Sequence, residues 1–423
     1  MNYPETIAYL FQLQRVGIKY TLDNIQQFMA ALDYPHRSWR AIHIAGTNGK
    51  GSTAAMLASI LKQAGLRVGL YTSPHLIDFT ERIRINGQPI PKRVVVEFVQ
   101  RYRSLIETIQ PSFFEVATAL AFWYFAREAV DLAVIETGMG GRLDSTNIVH
   151  PLLTLITPID LDHQHYLGHT LEAIAAEKAG IIKPDIPCLT VTQPEAARRV
   201  LEQTAQKRGA PFIYLPSISR TTLLQSNLQG NRFHLTLNDW QLNDLWLNLA
   251  GPHQIQNALL AVGTIQQLGN IISDPETAIR KGLQSVRWWG RLEQVATSPI
   301  VIVDVSHNPA GFRTTLQFLK QQFPQTPLAA IIALQEDKNF QEIGKFVAKT
   351  VDKTIVTRFQ HPKALKPEVL LQVIRNHGGS ATIFPNLSQA IHEIHRNHGI
   401  QYVWIIIGSH YLAGEAYKIL QMS

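Results

Sequence analysis

Cysteine is almost absent: Cys188 is the single thiol in 423 residues. One thiol can neither close an intramolecular disulfide nor build a thiolate metal site, so a reducing compartment is expected. Long apolar runs are missing as well. The longest candidate, Val403 to Ile407, has the length of a strand, against roughly 20 residues for a bilayer span, so no membrane partner is expected. The opening M-N-Y-P-E-T-I-A-Y-L-F-Q-L lacks the basic start and small-residue cleavage site of an export leader, so a cytoplasmic location is expected. Charge is sparse at 17%, with 39 Lys and Arg against 32 acids. The basic excess is diffuse, without Lys/Arg runs or aromatic–basic interleaving. Such a surface attracts anions such as nucleotides or polyglutamates and argues against nucleic acid as a partner. A monomer is the expected state. Internal repeats and low-complexity linkers are also lacking.

What is present is 45% hydrophobic residues, a globular composition, and a length that at roughly 150 residues per domain predicts two domains. From Trp39, R-A-I-H-I-A reads as a strand, followed by a Gly-rich turn and the helical A-A-M-L-A-S-I-L-K-Q-A. Strand-like runs return at Leu132 to Glu136 and Leu152 to Thr157, with a helix over Glu115 to Arg127 between them. Apolar strands alternating with helices predict a parallel sheet covered on both faces. Pro211 to Leu249 has short alternating runs and polar turns, read as a small antiparallel patch appended to that sheet. After Trp288-Trp289-Gly290 a second α/β series begins (P-I-V-I-V-D-V, L-A-A-I-I-A-L, K-T-I-V-T-R-F, A-T-I-F-P, Y-V-W-I-I-I-G). The expected fold is therefore α/β: residues 1–288 a P-loop NTPase-like domain and 289–423 a Rossmann-like one.

The string G-T-N-G-K-G-S, Gly46 to Ser52, lies directly between strand and helix. Glycines let the backbone approach an anion, the helix N-terminus offers free N–H groups, and Lys50 reaches terminal phosphates. Ser52 or Thr53 can ligate magnesium. The string is not the standard P-loop, because Gly51 intervenes between lysine and serine; its bland alternative is a Gly-rich turn. Glu136 ends an apolar strand before T-G-M-G-G-R-L-D-S-T-N, where a carboxylate faces the ligand crevice of an open parallel sheet. His163 follows the next strand in D-L-D-H-Q-H-Y-L-G, and Ser73 ends another before Pro74. Lys178, on its residues alone, reads as a solvated helix-end lysine. Farther on, His253 and Asn257 share one helix face, while Arg291 and Asp304, His307 and Asn308 of V-D-V-S-H-N-P lie at the domain junction, where an arginine can clamp phosphate.

Taken in order, H-I-A-G-T-N-G-K-G-S-T, Y-T-S-P-H-L-I-D-F-T-E-R-I-R-I-N-G, F-F-E-V-A-T, I-E-T-G-M-G-G-R-L-D-S-T-N, E-K-A-G-I-I-K-P, G-R-L-E and D-V-S-H-N-P resemble the folylpolyglutamate synthase and dihydrofolate synthase family, relatives of the Mur ligases. The resemblance runs over nearly the whole chain. It implies that Asn48, Gly49, Lys50, Gly51 and Ser52 hold ATP phosphates, with Asn257, Arg291 and Asp304 on the nucleotide's far side. It implies two magnesium ions near Ser52, Ser73, Glu136, His163 and Lys178, the last carried as a carbamate, and it admits a potassium ion. His307 is expected near glutamate, and Phe113, Phe114, Glu115, Arg142, Asp144 and Asn147 on the pterin side. Lys50, Lys178 and His307 are the expected catalytic groups. The chain departs from the family pattern at Gln164, Ser306 and Asn339; the last leaves the role of Asp337 and Lys338 open.

The implied activity joins L-glutamate to dihydropteroate or a reduced folate. ATP first converts the acceptor carboxylate to an acyl phosphate, which the amine then displaces. Domain closure about a hinge near Trp288 to Arg291 would exclude water. Two rival readings stand beside it: a Mur-type ligase on a nucleotide-linked acceptor, which would place a further domain ahead of Gly46, and a nucleotide-binding scaffold, which would not need Glu136, His163 and Lys178 together with Asp304.

Overall fold

The computed structural model describes residues 1–13, 21–396 and 402–421. Strands β1 (Arg40–Ala45), β2 (Val68–Tyr71), β3 (Ile83–Ile85), β4 (Gln88–Pro89), β5 (Leu132–Glu136), β6 (Leu153–Ile156), β7 (Cys188–Thr190) and β8 (Phe212–Tyr214) form one eight-stranded sheet in the order β4-β3-β2-β5-β1-β6-β7-β8. From β2 to β8 the neighbours are parallel; β3 and β4 close one edge antiparallel. β5 and β1 are buried along nearly their whole length, as a sheet covered on both faces requires.

The order has a consequence for ligands. The chain leaves β1 for β2 and β5 on one side and returns for β6 on the other, so β1 sits at the topological switch point. A crevice opens there beyond the carboxyl ends.

One face of the sheet is covered by the helix Lys50–Gln63, which packs against Pro275–Ser285 and His253–Leu268. The other is covered by Phe113–Arg127, apolar all round and buried at 11 of its 15 positions, with the short N-terminal helices outside it. The predicted antiparallel patch exists but is differently placed. Phe212–Tyr214 joins the main sheet in parallel, and β9 (Ser219–Asn227), β10 (Gly230–Leu237) and β11 (Trp240–Leu247) make a separate three-stranded sheet. Its buried Phe233, Leu235, Leu237, Leu242 and Leu245 pack on the helix His253–Leu268 rather than extending the main sheet, because their alternation gives it an apolar face of its own.

The third sheet holds β12 (Glu293–Thr297), β13 (Ile300–Asp304), β14 (Leu328–Ile332), β15 (Lys353–Val356), β16 (Ala381–Ile383) and β17 (Val403–Ile407), ordered β12-β13-β17-β14-β15-β16. All pairs but β12–β13 are parallel. β12 is polar and half-buried, an antiparallel edge that the apolar pattern did not announce.

The contact between Lys50–Gln63 and Pro275–Ser285 depends on a glycine: a Cβ on Gly282 would stand 2.5 Å from Ile60 Cα, while Ser59 Oγ donates to Gly282 O at 2.8 Å. Gly282→Ala is expected to force the two helices apart and cost about 1–3 kcal/mol in urea unfolding; an unchanged midpoint would show that the contact is not tight.

Candidate active site

Four loops meet at the carboxyl edge of the main sheet. After β1, Gly49 adopts φ +93° and starts the helix with Lys50 at its first turn. A Cβ there would lie 2.3 Å from Asn257 Oδ1, so only glycine lets the turn pass under Asn257. Beyond β2 comes Ser73, whose N–H donates to Glu136 Oε2 at 3.3 Å; Glu136 itself ends β5. Past β6, Asp160, Asp162 and His163 line the same opening.

Two ammonium groups converge on one carbonyl. Lys50 Nζ donates to Gly46 O at 3.1 Å and Lys178 Nζ to the same oxygen at 2.7 Å. Lys178 is therefore not the solvated lysine its local sequence suggests: it is 4% exposed. Burial, helped by the charge of Lys50, pushes it down to about 7. Burial likewise lifts the Glu136 carboxyl to about 7 against the pull of Lys50, and lowers His163 to about 4.

The third sheet presents its own carboxyl edge to this opening. Asp304 accepts from Leu292 N at 2.9 Å and Ser306 N at 2.8 Å, which fixes the turn carrying Arg291. Three contacts cross between the sheets: Lys338 Nζ to Asp162 Oδ1 at 2.8 Å, His307 Nε2 with Asp162 Oδ2 at 3.2 Å, and Asn308 Nδ2 to Asn48 Oδ1 at 2.9 Å. Burial acts upward on Asp162, but the His307 hydrogen bond and the charges around it hold the carboxyl well below its usual range. Lys338 is 6% exposed and central to this contact. Its only sequence signal was the D-K pair, whose role the departure at Asn339 had left open.

The result is a cleft of about 400 Å³. It gathers Asn48, Gly49, Lys50, Gly51, Ser52, Ser73, Glu136, His163, Lys178, Asn257, Arg291, Asp304 and His307 of the expected residues, and adds Lys338, whose role the sequence left open, and His410 and Tyr411, which the sequence did not single out. Phe114, Glu115, Arg142, Asp144 and Asn147 are not among its lining residues. Glu115 closes the capping box of Phe113–Arg127 with Ser112, and Arg142 pairs with Glu177. Asn147 Nδ2 donates to Arg142 O and Gly180 O. Asp144 accepts from the N–H groups of Gly138 and Met139 at 2.8 and 3.0 Å, and Phe114 packs on Gly138; both thus shape a loop that does reach the cleft.

The donor set fits phosphate and a hard cation. Ser52 Oγ and Thr53 Oγ1 are buried without a hydrogen-bond partner, in the place where a metal–phosphate unit would use a hydroxyl. Among the described residues no group of three or more His, Cys, Asp or Glu could cage a metal by itself. A cation here would have to complete its shell with hydroxyls and ligand oxygens, as magnesium does on nucleotides.

A phosphate loop facing an Arg–Asp–His–Lys wall across a two-sheet cleft defines a Mur-type, nucleotide-dependent ligase. The chain matches the Mur ligase middle domain over residues 44–265 and the Mur ligase glutamate ligase domain over 290–410. It is 38% identical over 372 residues to a dihydrofolate synthase/folylpolyglutamate synthase of Bacillus subtilis, covering 86% of each chain. It is 33% identical over 388 residues to the Escherichia coli protein of the same name, covering 91% of this chain and 87% of that one. A Mycobacterium tuberculosis folylpolyglutamate synthase solved with ADP and AMPPCP superposes with a TM-score of 0.89 at 32% identity, covering 98% and 99% of the two chains. The chain belongs to the folylpolyglutamate synthase/dihydrofolate synthase family.

The depressed Lys178 predicts a pH effect with a definite sign. Between about 7 and its unfolded value of about 10.5 the folded state binds fewer protons than the unfolded, so stability rises with pH over that window. Below 7 the burial penalty is complete. In buffer purged of carbon dioxide, the stability gained by Lys178→Met over wild type in denaturant unfolding is expected to be largest below pH 7 and to shrink toward pH 10; a pH-independent difference would refute the buried neutral amine.

Proposed function

We propose that the chain joins L-glutamate to the carboxylate of dihydropteroate, of reduced folates, or of both, at the expense of ATP, with residues 1–288 supplying the nucleotide site and 289–423 the amino-acid site. The observation that carries the reading is the convergence on one cleft of the phosphate loop after β1, Glu136 at the end of β5, His163 after β6, Lys178 from the end of the helix Leu171–Ala179, Arg291 from the turn before β12, and Asp304 and His307 at the end of β13. A relative from Escherichia coli solved with DHPP and ADP, at TM-score 0.87 and 28% identity, supports the choice of substrates.

In this reading the phosphate loop and Lys50 hold the ATP phosphates, while Asn257, directly beside the loop, and Arg291, from the third-sheet side, hold the rest of the nucleotide. An acceptor carboxylate oxygen attacks the γ-phosphorus, the bond to ADP breaks, and an acyl phosphate forms. The amine of glutamate, placed by His307 and Lys338, attacks the acyl carbon; phosphate leaves and the nitrogen loses a proton. Ser52, Ser73, Glu136 and His163 would hold magnesium, which when bound offsets the charge developing on phosphoryl and acyl oxygens. Potassium is a further cation of this reading, and the setting is a cytoplasmic monomer.

Lys178 is the remaining ligand. Near pH 7 its amine is partly neutral, so it can attack carbon dioxide, forming an N–C bond and releasing one proton to leave a carbamate anion. Such an anion would replace one of the two cationic groups now sharing Gly46 O and would offset the charge of the other, Lys50. Protein equilibrated with ¹³C-bicarbonate is expected to show a carbamate carbon signal that disappears in Lys178→Arg; a spectrum without it in wild type would remove the carbamate.

The function itself is tested by phosphate release from purified protein with ATP, magnesium and L-glutamate, comparing dihydropteroate with tetrahydrofolate and identifying products by mass. Turnover with both acceptors marks a bifunctional synthase and turnover with one assigns the branch. No acceptor-dependent release with either would overturn the folate reading.

A further inference from the structure

Arg291 lines the cleft without a bonded partner of its own. Its guanidinium makes no hydrogen bond or ion pair among the described residues; Asp304 and Glu136 act on it only through longer-range charge. A long side chain with no fixed contact is aimed by the backbone that carries it, so the turn Gly290-Arg291-Leu292 decides where this charge sits. The turn has a strained shape. Gly290 has φ +71° and Leu292 φ +50°, and leucine stays in the left-handed region only where its surroundings impose it.

Here it is imposed from two sides. On the side of β13, Leu292 N donates to Asp304 Oδ2 at 2.9 Å and Val305 N to Gly290 O at 3.0 Å. On the other side, Gly290 N donates to the Tyr417 hydroxyl oxygen at 2.8 Å and to Glu293 Oε2 at 3.1 Å, and the Tyr417 hydroxyl donates to that same Glu293 oxygen, which closes a triangle of bonds. Burial and the facing Glu293 carboxylate push the Tyr417 hydroxyl above its usual range, so it stays a donor. The Trp289 ring packs on the Tyr417 ring with centroids 5.8 Å apart. Tyr417 is buried and is not among the residues that line the cleft.

Its helix does reach the cleft. Tyr417 lies about two turns along His410–Gln421, whose opening residues His410 and Tyr411 line the cleft. Between them, Gly414 lies so close to the main-sheet segment after Ser73 that a Cβ there would stand 2.0 Å from Leu76 O. One helix thus meets both the turn that carries Arg291 and the segment that carries Ser73. We infer that Tyr417 is a positioning residue, whose hydroxyl fixes Gly290 and so aims Arg291 at the nucleotide from outside the cleft. This rests on the reading above, in which Arg291 holds part of the nucleotide.

The test is ADP binding to the full chain with magnesium, measured by titration calorimetry and so without turnover, in Tyr417→Phe, Glu293→Ala, Arg291→Ala and their double variants. Tyr417→Phe keeps the ring against Trp289 and removes only the hydroxyl. It is expected to weaken ADP binding about fivefold and to raise KM for ATP likewise, while KM for L-glutamate stays within about twofold. Glu293→Ala is expected to weaken ADP similarly, and adding Tyr417→Phe to Arg291→Ala to have no further effect, because no guanidinium is left to aim. A merely structural role would lower stability and leave Tyr417→Phe just as damaging in the Arg291→Ala background. ADP bound by Tyr417→Phe within about twofold of wild type, or losses that add in the double variant, overturns the positioning role. Arg291→Ala that binds ADP like wild type overturns it as well, by removing Arg291 from the nucleotide. Failure of the ligase reading looks different: ADP binds, but no acceptor-dependent phosphate release follows with ATP.

Discussion

Everything in the cleft is arranged around a shortage of negative charge at one oxygen, the carbonyl of Gly46, which accepts from both Lys50 and Lys178. Two ammonium groups sharing a single neutral acceptor in a buried setting repel each other, and burial takes away the water that would screen them. The fold tolerates this because Lys178 can give up its proton and because the helix that carries Lys50 is locked against Pro275–Ser285 and Asn257. An anion entering the phosphate loop relieves the strain at once. The resting protein is thus preorganised for an anion such as phosphate, in the sense that donors already point to where negative charge would sit.

The second constraint is the pairing of two sheets by their carboxyl edges. A parallel strand delivers its next residue into a crevice whatever its side chain, so Gly46, Ser73, Glu136 and Asp160–His163 come from one sheet while Asp304–His307, Gln335–Lys338 and Ser409–Tyr411 come from the other. Asp162 joins the edges: it belongs to the main sheet, but its carboxylate is bonded by Lys338 and His307 of the third. A buried ion pair of this kind adds little net stability, since desolvation offsets most of the attraction, but its geometry is exacting. Its contribution is to set how the two halves face each other, and it ties Lys338 and His307 to the residue immediately before His163.

Those residues were legible in the sequence to very different degrees. The strand–glycine–helix pattern around Lys50 announced itself because three local signals coincide, and Glu136 because a charge at the end of an apolar strand has few places to go. Lys178 was not legible on its own: nothing in A-E-K-A-G tells that the helix end is roofed by the phosphate loop. Lys338 and His410 depend on contacts between segments far apart in sequence, Lys338 meeting Asp162 across the cleft and the His410 ring packing on His307, which no local pattern encodes. Strand β12 was missed because an antiparallel edge with polar residues lacks the apolar run that marks a buried strand. The antiparallel sheet was seen but misplaced, since alternation shows that a face is buried and not against what. Glu115 shows the converse: its motif points to substrate, but in the fold its carboxylate caps its own helix.

Charge balance supplies an argument for the divalent cations that no single residue gives. The cleft lining holds four formal cations, Lys50, Lys178, Arg291 and Lys338, and four carboxylates, Glu136, Asp160, Asp162 and Asp304. Empty of substrate it is close to neutral, and the two groups at the centre, Glu136 and Lys178, are each held near 7 and so can each give up their charge. A triphosphate together with an acceptor carboxylate brings several negative charges into this space, and the four cations are already matched. The deficit falls between Ser52, Ser73, Glu136 and His163, where the polar groups are oxygens and an imidazole that burial keeps neutral. Divalent cations at that position would bring compensating charge. They would also draw Glu136 back to its ionised form, because a metal favours the carboxylate over the acid. The phosphate loop, the raised carboxyl and the lowered lysine are in this sense one device: each is unfavourable in the empty protein, and the same ligands relieve all three.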